Sequence, residues 1–79
     1  MKTLDKASFS RIRIGMTLAQ VNAIVGTNGV YLKDLTETKN GVEYVARFYV
    51  WMGGNEDAPK IISAVIYNGQ VTNAYSSGL

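Results

Sequence analysis

Residues 9–26, FSRIRIGMTLAQVNAIVG, predict a helix end, a Gly-Met-Thr turn and a second short helix that stops at a glycine. Thr17 and Gln20 have the T-x-x-Q spacing of a capping box, in which two side chains bond two amides at the start of a helix. Gly26 can adopt the left-handed conformation that ends a helix. A helix of this length does not persist alone, so its apolar stripe must pack on another element. That stripe consists of Leu18, Val21, Ile24 and Val25.

From residue 30 onward, β-branched and aromatic residues separated by turns predict a sheet. Asn40-Gly41 and Asn68-Gly69 indicate tight hairpins, because a two-residue primed turn needs positive φ at both of its positions. The predicted strands lie near residues 30–36, 42–52, 60–67 and 70–76.

The whole chain, residues 1–79, is expected to form one domain, because 79 residues leave no room for two cores. A first helix is predicted from a cap at Thr3 to about Ile12. With the second helix and the strands, it predicts an α+β fold. In this fold a helix-loop-helix packs on one face of a four-stranded antiparallel sheet, in the meander order 1-2-3-4.

The composition argues against several classes of function. The chain has no cysteine and no histidine, which leaves no disulfide, no thiol nucleophile and no imidazole. Its net charge of +2 is too small to indicate nucleic-acid binding, and no apolar run approaches the ~20 residues that cross a bilayer. We therefore expect a protein that is not an enzyme, with no catalytic residues, no metal and no cofactor.

The alternation of side chains along the second strand assigns one set of residues to each face of the sheet. One set is nearly all apolar and is expected to meet the helices: Val42, Tyr44, Ala46, Phe48, Val50 and Met52. The other set mixes charge with large aromatics and is expected on the sheet face left open to solvent: Glu43, Val45, Arg47, Tyr49 and Trp51.

The neighbouring strands extend both faces. Three apolar residues of the third strand suit the core: Ile62, Ala64 and Ile66. Their neighbours are expected on the solvent side: Ser63, Val65 and Tyr67. Tyr31 and Lys33 of the first strand are expected to join them.

The aromatic residues of the solvent-facing set predict a protein-binding surface. Aromatic and arginine side chains are over-represented where interfaces carry binding energy, and Tyr49, Trp51 and Arg47 lie close together in the second strand. The alternative is a tryptophan that is half-buried at the edge of the sheet. On the binding interpretation, replacing Trp51 would weaken the binding of a partner and barely change the stability of the chain.

The connection between the second and third strands, residues 53–59, carries Glu56 and Asp57. Solvated loop charge is the default interpretation, and imitation of a substrate carboxylate is the alternative. Calcium needs more oxygen ligands than this loop offers, and a glycine-flanked loop is a poor place for precise catalysis.

The helical segment also resembles a known family. Its residues reproduce the pattern F-x-x-I-x-x-G-M-T-x-x-x-V-x-x-I-x-G: Phe9, Ile12, Gly15, Met16, Thr17, Val21, Ile24 and Gly26. This pattern resembles one repeat of the β-lactamase inhibitory protein superfamily, which also includes small exported outer-membrane lipoproteins of the SmpA/OmlA type. The segment IYNGQV, residues 66–71, is similar to the F-x-x-G-x-V hairpin that closes such repeats.

The resemblance implies a helix-loop-helix on one side of a four-stranded sheet, in an exported bacterial protein of the cell envelope or the extracellular space. It implies protein binding through the sheet face, with Tyr49 and Trp51 matching the aromatic contact surface of the family. Glu56 and Asp57 would match its inhibitory acidic loop. The chain departs from the family in having a single repeat and no cysteine pair. Its composition by itself is as compatible with the cytoplasm as with export.

Three hypotheses for function follow. The first is a non-catalytic protein-binding module that binds an unknown protein through the open sheet face. Its expected contacts are Tyr31, Lys33, Glu43, Arg47, Tyr49, Trp51, Glu56, Asp57 and Tyr67. The second is an inhibitor of a β-lactamase-like secreted enzyme, with residues 53–58 entering the active site. The third is a self-associating structural domain, such as a homodimer.

Overall fold

The computed structural model describes residues 1–79 and contains two helices followed by four strands. The helices are α1 (Lys6–Ser10) and α2 (Leu18–Val25), and the strands are β1 (Val30–Lys39), β2 (Val42–Gly54), β3 (Pro59–Tyr67) and β4 (Gln70–Ser77). Each strand pairs antiparallel with the next, in the order β1-β2-β3-β4. The predicted α+β meander is thereby confirmed.

Local hydrogen bonds fix the start and end of α2 as the sequence predicts. The hydroxyl of Thr17 accepts from the Gln20 N–H at 3.2 Å, and the Gln20 side chain accepts from the Thr17 N–H at 2.8 Å. Gly26 ends the helix with a φ of 87°. Both hairpin turns have positive φ at the asparagine and the glycine, as primed turns require.

The predicted first helix is wrong at both ends. Asp5, and not Thr3, caps α1: its carboxylate accepts a hydrogen bond from the Ser8 N–H at 2.7 Å. Thr3 instead donates its N–H to the Val25 carbonyl at 2.6 Å, which ties the N-terminal segment to the end of α2. The helix then stops at Ser10, one turn after it begins. The local sequence pattern predicted Thr3 as a helix cap, but the backbone of Thr3 forms a long-range hydrogen bond to Val25 instead.

The core lies between the two helices and one side of the sheet. Trp51 is 1% exposed and packs with Val21 and Val25 of α2 and with Ile62 of β3. Tyr49 is buried in the same cluster. The prediction that Tyr49 and Trp51 face solvent is therefore wrong, and so is the prediction that the alternate residues of β2 meet the helices.

The position of the helices along β2 explains this inversion. They cover the end of the strand that carries Tyr49 and Trp51, which pair in register with Ala64 and Ile62 of β3. Glu43 and Arg47 share that side of the sheet by alternation but are exposed. Their charge made this side resemble a solvated face when the strand was read as a whole. The core residues predicted in β3 are confirmed.

The helices leave the chain with a large surface for its mass. Eleven of 79 residues are buried, and the accessible surface is 5332 Å². A folded monomer of 8.6 kDa is expected to expose about 4,700 Å². The excess follows from a sheet that is covered on one side only.

Candidate functional site

The side of the sheet away from the helices forms a continuous surface, here called the open face. Its residues alternate with the core residues along each strand, except where bulges at Leu32 and Thr72 shift the alternation, and the strand register places them side by side. They are Val30, Lys33, Leu35, Glu37 and Lys39 in β1; Val42, Tyr44, Ala46, Phe48, Val50 and Met52 in β2; Ile61, Ser63, Val65 and Tyr67 in β3; and Gln70, Asn73, Tyr75 and Ser77 in β4.

Most of the open face is apolar or aromatic. Met52 is 58% exposed and Tyr75 is 52% exposed. The rings of Tyr44 and Tyr67 meet edge to face, with their centres 5.7 Å apart. Together with Leu35 and other residues, these tyrosines line a groove of about 670 Å³. The open face therefore offers both flat apolar contact and a groove that can receive side chains.

Charge on the open face is confined to β1. Lys33, Glu37 and Lys39 supply it, and β2, β3 and β4 contribute none. Glu37 and Lys39 form an ion pair with 3.7 Å between the amine nitrogen and the carboxylate oxygen. Both side chains are about two-thirds exposed, so this pair adds little to stability.

The helix side of the sheet carries a polar cluster, which consists of Tyr31, Asp34, Arg47 and Tyr49. The Tyr31 hydroxyl donates a hydrogen bond to the Asp34 carboxylate, and this bond raises the pKa of Tyr31 above its ordinary value of 10.0. The Arg47 guanidinium lies 5.4 Å from the centre of the Tyr31 ring. The Tyr31 and Tyr49 rings are 5.8 Å apart. This cluster orders a partly exposed patch beside the core.

The turn between β2 and β3 is shorter than predicted, because the strands extend to Gly54 and from Pro59. Asn55 and Ala58 bond each other through their backbones at 3.3 and 3.1 Å. The Asn55 side chain also accepts from the N–H groups of Asp57 and Ala58 at 3.0 and 2.9 Å. Glu56 and Asp57 are exposed at the tip of this turn.

The nine predicted contact residues do not form one surface. Two of them, Lys33 and Tyr67, lie on the open face. The others lie on the helix side or at the turn: Tyr31, Glu43, Arg47, Tyr49, Trp51, Glu56 and Asp57. The structure does bring Tyr31, Arg47 and Tyr49 together, but in the polar cluster and not on the open face.

The sequence prediction missed the open-face residues of β2 and Tyr75 of β4, although it placed Val65 and Tyr67 on the solvent side. Tyr44, Phe48 and Met52 were assigned to the core, and Tyr75 was not singled out. One signal was available: Trp51 is the only tryptophan and the largest apolar side chain of β2, and residues of this size dominate cores. If the size of Trp51 alone assigns it to the core, alternation along β2 places Tyr44 on the opposite, solvent-facing side.

No group of three or more acidic side chains is arranged to hold a metal ion. Neither helix has the length and apolar character needed to span a bilayer.

Comparison of the chain with protein-family models, with curated proteins and with solved structures finds no match. The fold is thus established by its own geometry. Membership of the superfamily that the helical motif resembles stays a prediction, and function has to be argued from the surfaces of this molecule.

Proposed function

We propose that this chain is a non-catalytic protein-binding module of an exported bacterial protein, and that it binds its partner through the open face. The exported location rests on the motif resemblance alone. The binding surface rests on one observation, which is that the uncovered side of the sheet is apolar and rich in tyrosine.

The outward residues of β2 depart from what a solvated sheet face requires. An antiparallel sheet with one side in water normally alternates apolar residues inward with polar residues outward. Here Tyr44, Ala46, Phe48, Val50 and Met52 point away from the core and none is charged or an amide. A contiguous apolar patch of this kind marks an interaction site in a small soluble protein.

The residue types also fit an interface better than a bare surface. Tyrosine, phenylalanine and methionine are enriched in the centres of protein interfaces, and lysine and glutamate are depleted there. On the open face, Tyr44, Phe48 and Met52 lie on the inner strand β2, and the charges lie on the edge strand β1. This gives an apolar surface that is bordered by charge along one edge.

Site-specific photo-crosslinking in the producing cells tests this proposal. A photoreactive residue at Tyr44 or Tyr67 should give discrete protein adducts, and the same residue at Ala19, exposed on α2, should not. The adduct protein is then identified, purified and titrated against the wild type and the variants Tyr44→Ser, Tyr67→Ser and Ala19→Ser. We expect about a tenfold or greater loss of affinity for the two open-face variants.

Thermal melts of the same variants control for misfolding, because Tyr44 and Tyr67 lie outside the core. Adducts that form equally from Ala19, or an affinity that is the same in all four proteins, would contradict binding through the open face.

Inhibition of a secreted β-lactamase-like enzyme is the second candidate. The exposed carboxylates of Glu56 and Asp57, on a turn held by Asn55, support it together with the motif resemblance. The burial of Trp51 weakens it, because the aromatic brace is absent from the surface. A β-lactamase assay at micromolar protein tests this candidate. Inhibition that is lost in Glu56→Gln or Asp57→Asn would support it, and an unchanged velocity would exclude that enzyme as the target.

A further inference from the structure

We propose that the partner on the open face is a second copy of this chain, packed face to face in a two-fold symmetric dimer. This inference rests on the proposed function, because it uses the β1 and β2 part of the same surface and names its occupant. A two-fold dimer requires one surface to be complementary to itself. The strand register around Leu35 and Ala46 has that property.

Leu35 and Ala46 lie directly opposite each other in the pairing of β1 with β2. On one side of this pair the next open-face residues are Lys33 and Phe48, and on the other side they are Glu37 and Tyr44. A two-fold axis that crosses the strands at the Leu35–Ala46 row exchanges these two sides. Lys33 of one copy then faces Glu37 of the other, and Phe48 faces Tyr44.

This arrangement pairs opposite charges and aromatic rings twice in each dimer. Aromatic pairs add energy beyond their buried area, and opposite charges across an interface fix its register. Ala46 is small, so it lets the sheets approach at the axis, and Tyr67, which follows the Arg47–Ile66 pair in the register, meets its own copy there. An axis placed at Lys33 would instead bring two ammonium groups together, which is unfavourable.

The surface of the chain is large enough for such a contact. Its accessible area of 5332 Å² exceeds the value expected for its mass by about 600 Å². The axis turns β3 and β4 of the two copies away from each other, because the Leu35–Ala46 row reaches β3 one position past the Arg47–Ile66 pair, at the end of that strand. The contact is therefore formed mainly by β1 and β2 and lies below about 1,200 Å² in total, in the range of weak interfaces. We therefore expect a dimer that forms at micromolar to millimolar concentration, with dissociation that salt promotes through the Lys33–Glu37 contacts.

Sedimentation equilibrium of the wild type, Lys33→Glu, Glu37→Lys and the double variant tests this geometry. Each single charge reversal should weaken the dimer by about tenfold, because the contact occurs twice and becomes a like-charge pair. The double variant should return to the wild-type dissociation constant. Lys33 and Glu37 are four residues apart in an extended strand, about 13 Å, so they do not pair within one copy.

Lys6→Glu, on the exposed surface of α1, is the charge-matched control and should leave the dimer unchanged. Single variants that dimerise like the wild type, or a double variant without recovery, would overturn the proposed axis. A chain that stays monomeric at about 1 mM would overturn self-association. In that case open-face adducts with a different protein in the crosslinking experiment would still uphold the proposed function, and their absence would refute both.

Discussion

The indole nitrogen of Trp51 donates a hydrogen bond to the side-chain oxygen of Asn22, 3.1 Å away across the interface between β2 and α2. The same nitrogen lies 3.1 Å from the Thr27 carbonyl, and the Asn22 oxygen also accepts from the Gly29 N–H at 2.8 Å. One polar side chain therefore joins the largest core residue to the helix and to the loop that leads into β1.

Breaking this junction should destabilise the fold. Asn22→Ala leaves the Gly29 N–H without its acceptor and leaves the indole only the Thr27 carbonyl, in a partly buried site. Trp51→Phe removes the indole donor and keeps a six-membered ring. We expect each change to lower the free energy of unfolding by about 1–3 kcal/mol, as measured by urea titration. Asn28→Ala, at an exposed position one residue before Gly29, is the control and should stay within about 0.5 kcal/mol of the wild type.

The double variant of Asn22 and Trp51 separates the hydrogen bond from ring packing. Because the two residues share one interaction, the cost of the double change should be smaller than the sum of the single costs. Strictly additive costs would show that the bond does not couple them. Trp51→Ala should cost about 3–5 kcal/mol, in contrast to the near-neutral effect expected of a solvent-exposed tryptophan.

Gly26 and Gly41 provide a matched pair for backbone effects. Both have positive φ, of 87° and 78°, so alanine at either position carries the strain of the left-handed region. A Cβ at Gly41 meets open space, whereas a Cβ at Gly26 would overlap the Met1 carbonyl. We expect Gly26→Ala to cost at least about 1 kcal/mol more than Gly41→Ala.

Amide exchange gives this prediction a local measurement. The Thr3 N–H bonds the Val25 carbonyl at 2.6 Å and holds the N-terminal segment against Gly26. In Gly26→Ala the exchange of the Thr3 amide should accelerate, and in Gly41→Ala it should not. Equal stability losses in the two variants, together with unchanged exchange of the Thr3 amide, would show that the N-terminal segment accommodates the added methyl group without a loss of stability.

The features that the sequence predicted correctly are those set by neighbouring residues. The capping box needs Thr17 and Gln20 three positions apart, and a primed turn needs Asn40 followed by Gly41. In each case the hydrogen bond or the φ value is local. The strand order follows, because short turns can join only antiparallel neighbours.

The orientation of β2 could not be predicted in the same way, because distant elements set it. The helices cover only the end of β2 that holds Trp51, while Arg47 shares that side without cover. Averaging hydrophobicity over the strand therefore favoured the wrong side. The same error moved Tyr44 from the candidate site to the core and placed Trp51 in the site. Tyr67 was placed correctly because β3 was divided independently of β2. Lys33 lies on the open face and Tyr31 does not, because a bulge at Leu32 shifts the register of β1 between them.

Acid should weaken the cap of α1. The Ser8 N–H bonds the Asp5 carboxylate and holds the pKa of Asp5 below its ordinary value of 3.8. A pKa that is lowered on folding adds stability above pH ~4, and this contribution is lost as the pH falls through the folded-state pKa. Asp5→Asn keeps an oxygen for the cap but removes the titration.

The stability of the wild type relative to Asp5→Asn should therefore decrease between about pH 5 and pH 2, as measured by urea titration at each pH. Asp5→Ala also lacks the titrating group and should lie below Asp5→Asn at every pH, because it loses the cap oxygen. A difference between wild type and Asp5→Asn that does not change with pH would show that the cap does not depend on charge.

A rise in pH should remove a stabilising hydrogen bond from the polar cluster. The Tyr31 hydroxyl donates to the Asp34 carboxylate, and this bond raises the pKa of Tyr31 above 10.0. The bond stabilises the fold below pH ~10, and this contribution is lost as the pH rises through the raised folded-state pKa.

Asp34→Ala should therefore lower the pKa of Tyr31. The measurement is the ultraviolet difference titration between each protein and its Tyr31→Phe counterpart. Asp57→Ala, which removes a carboxylate at the β2–β3 turn, should leave that titration in place. A Tyr31 titration that is the same with and without Asp34 would mean that the hydroxyl does not donate to this carboxylate in solution.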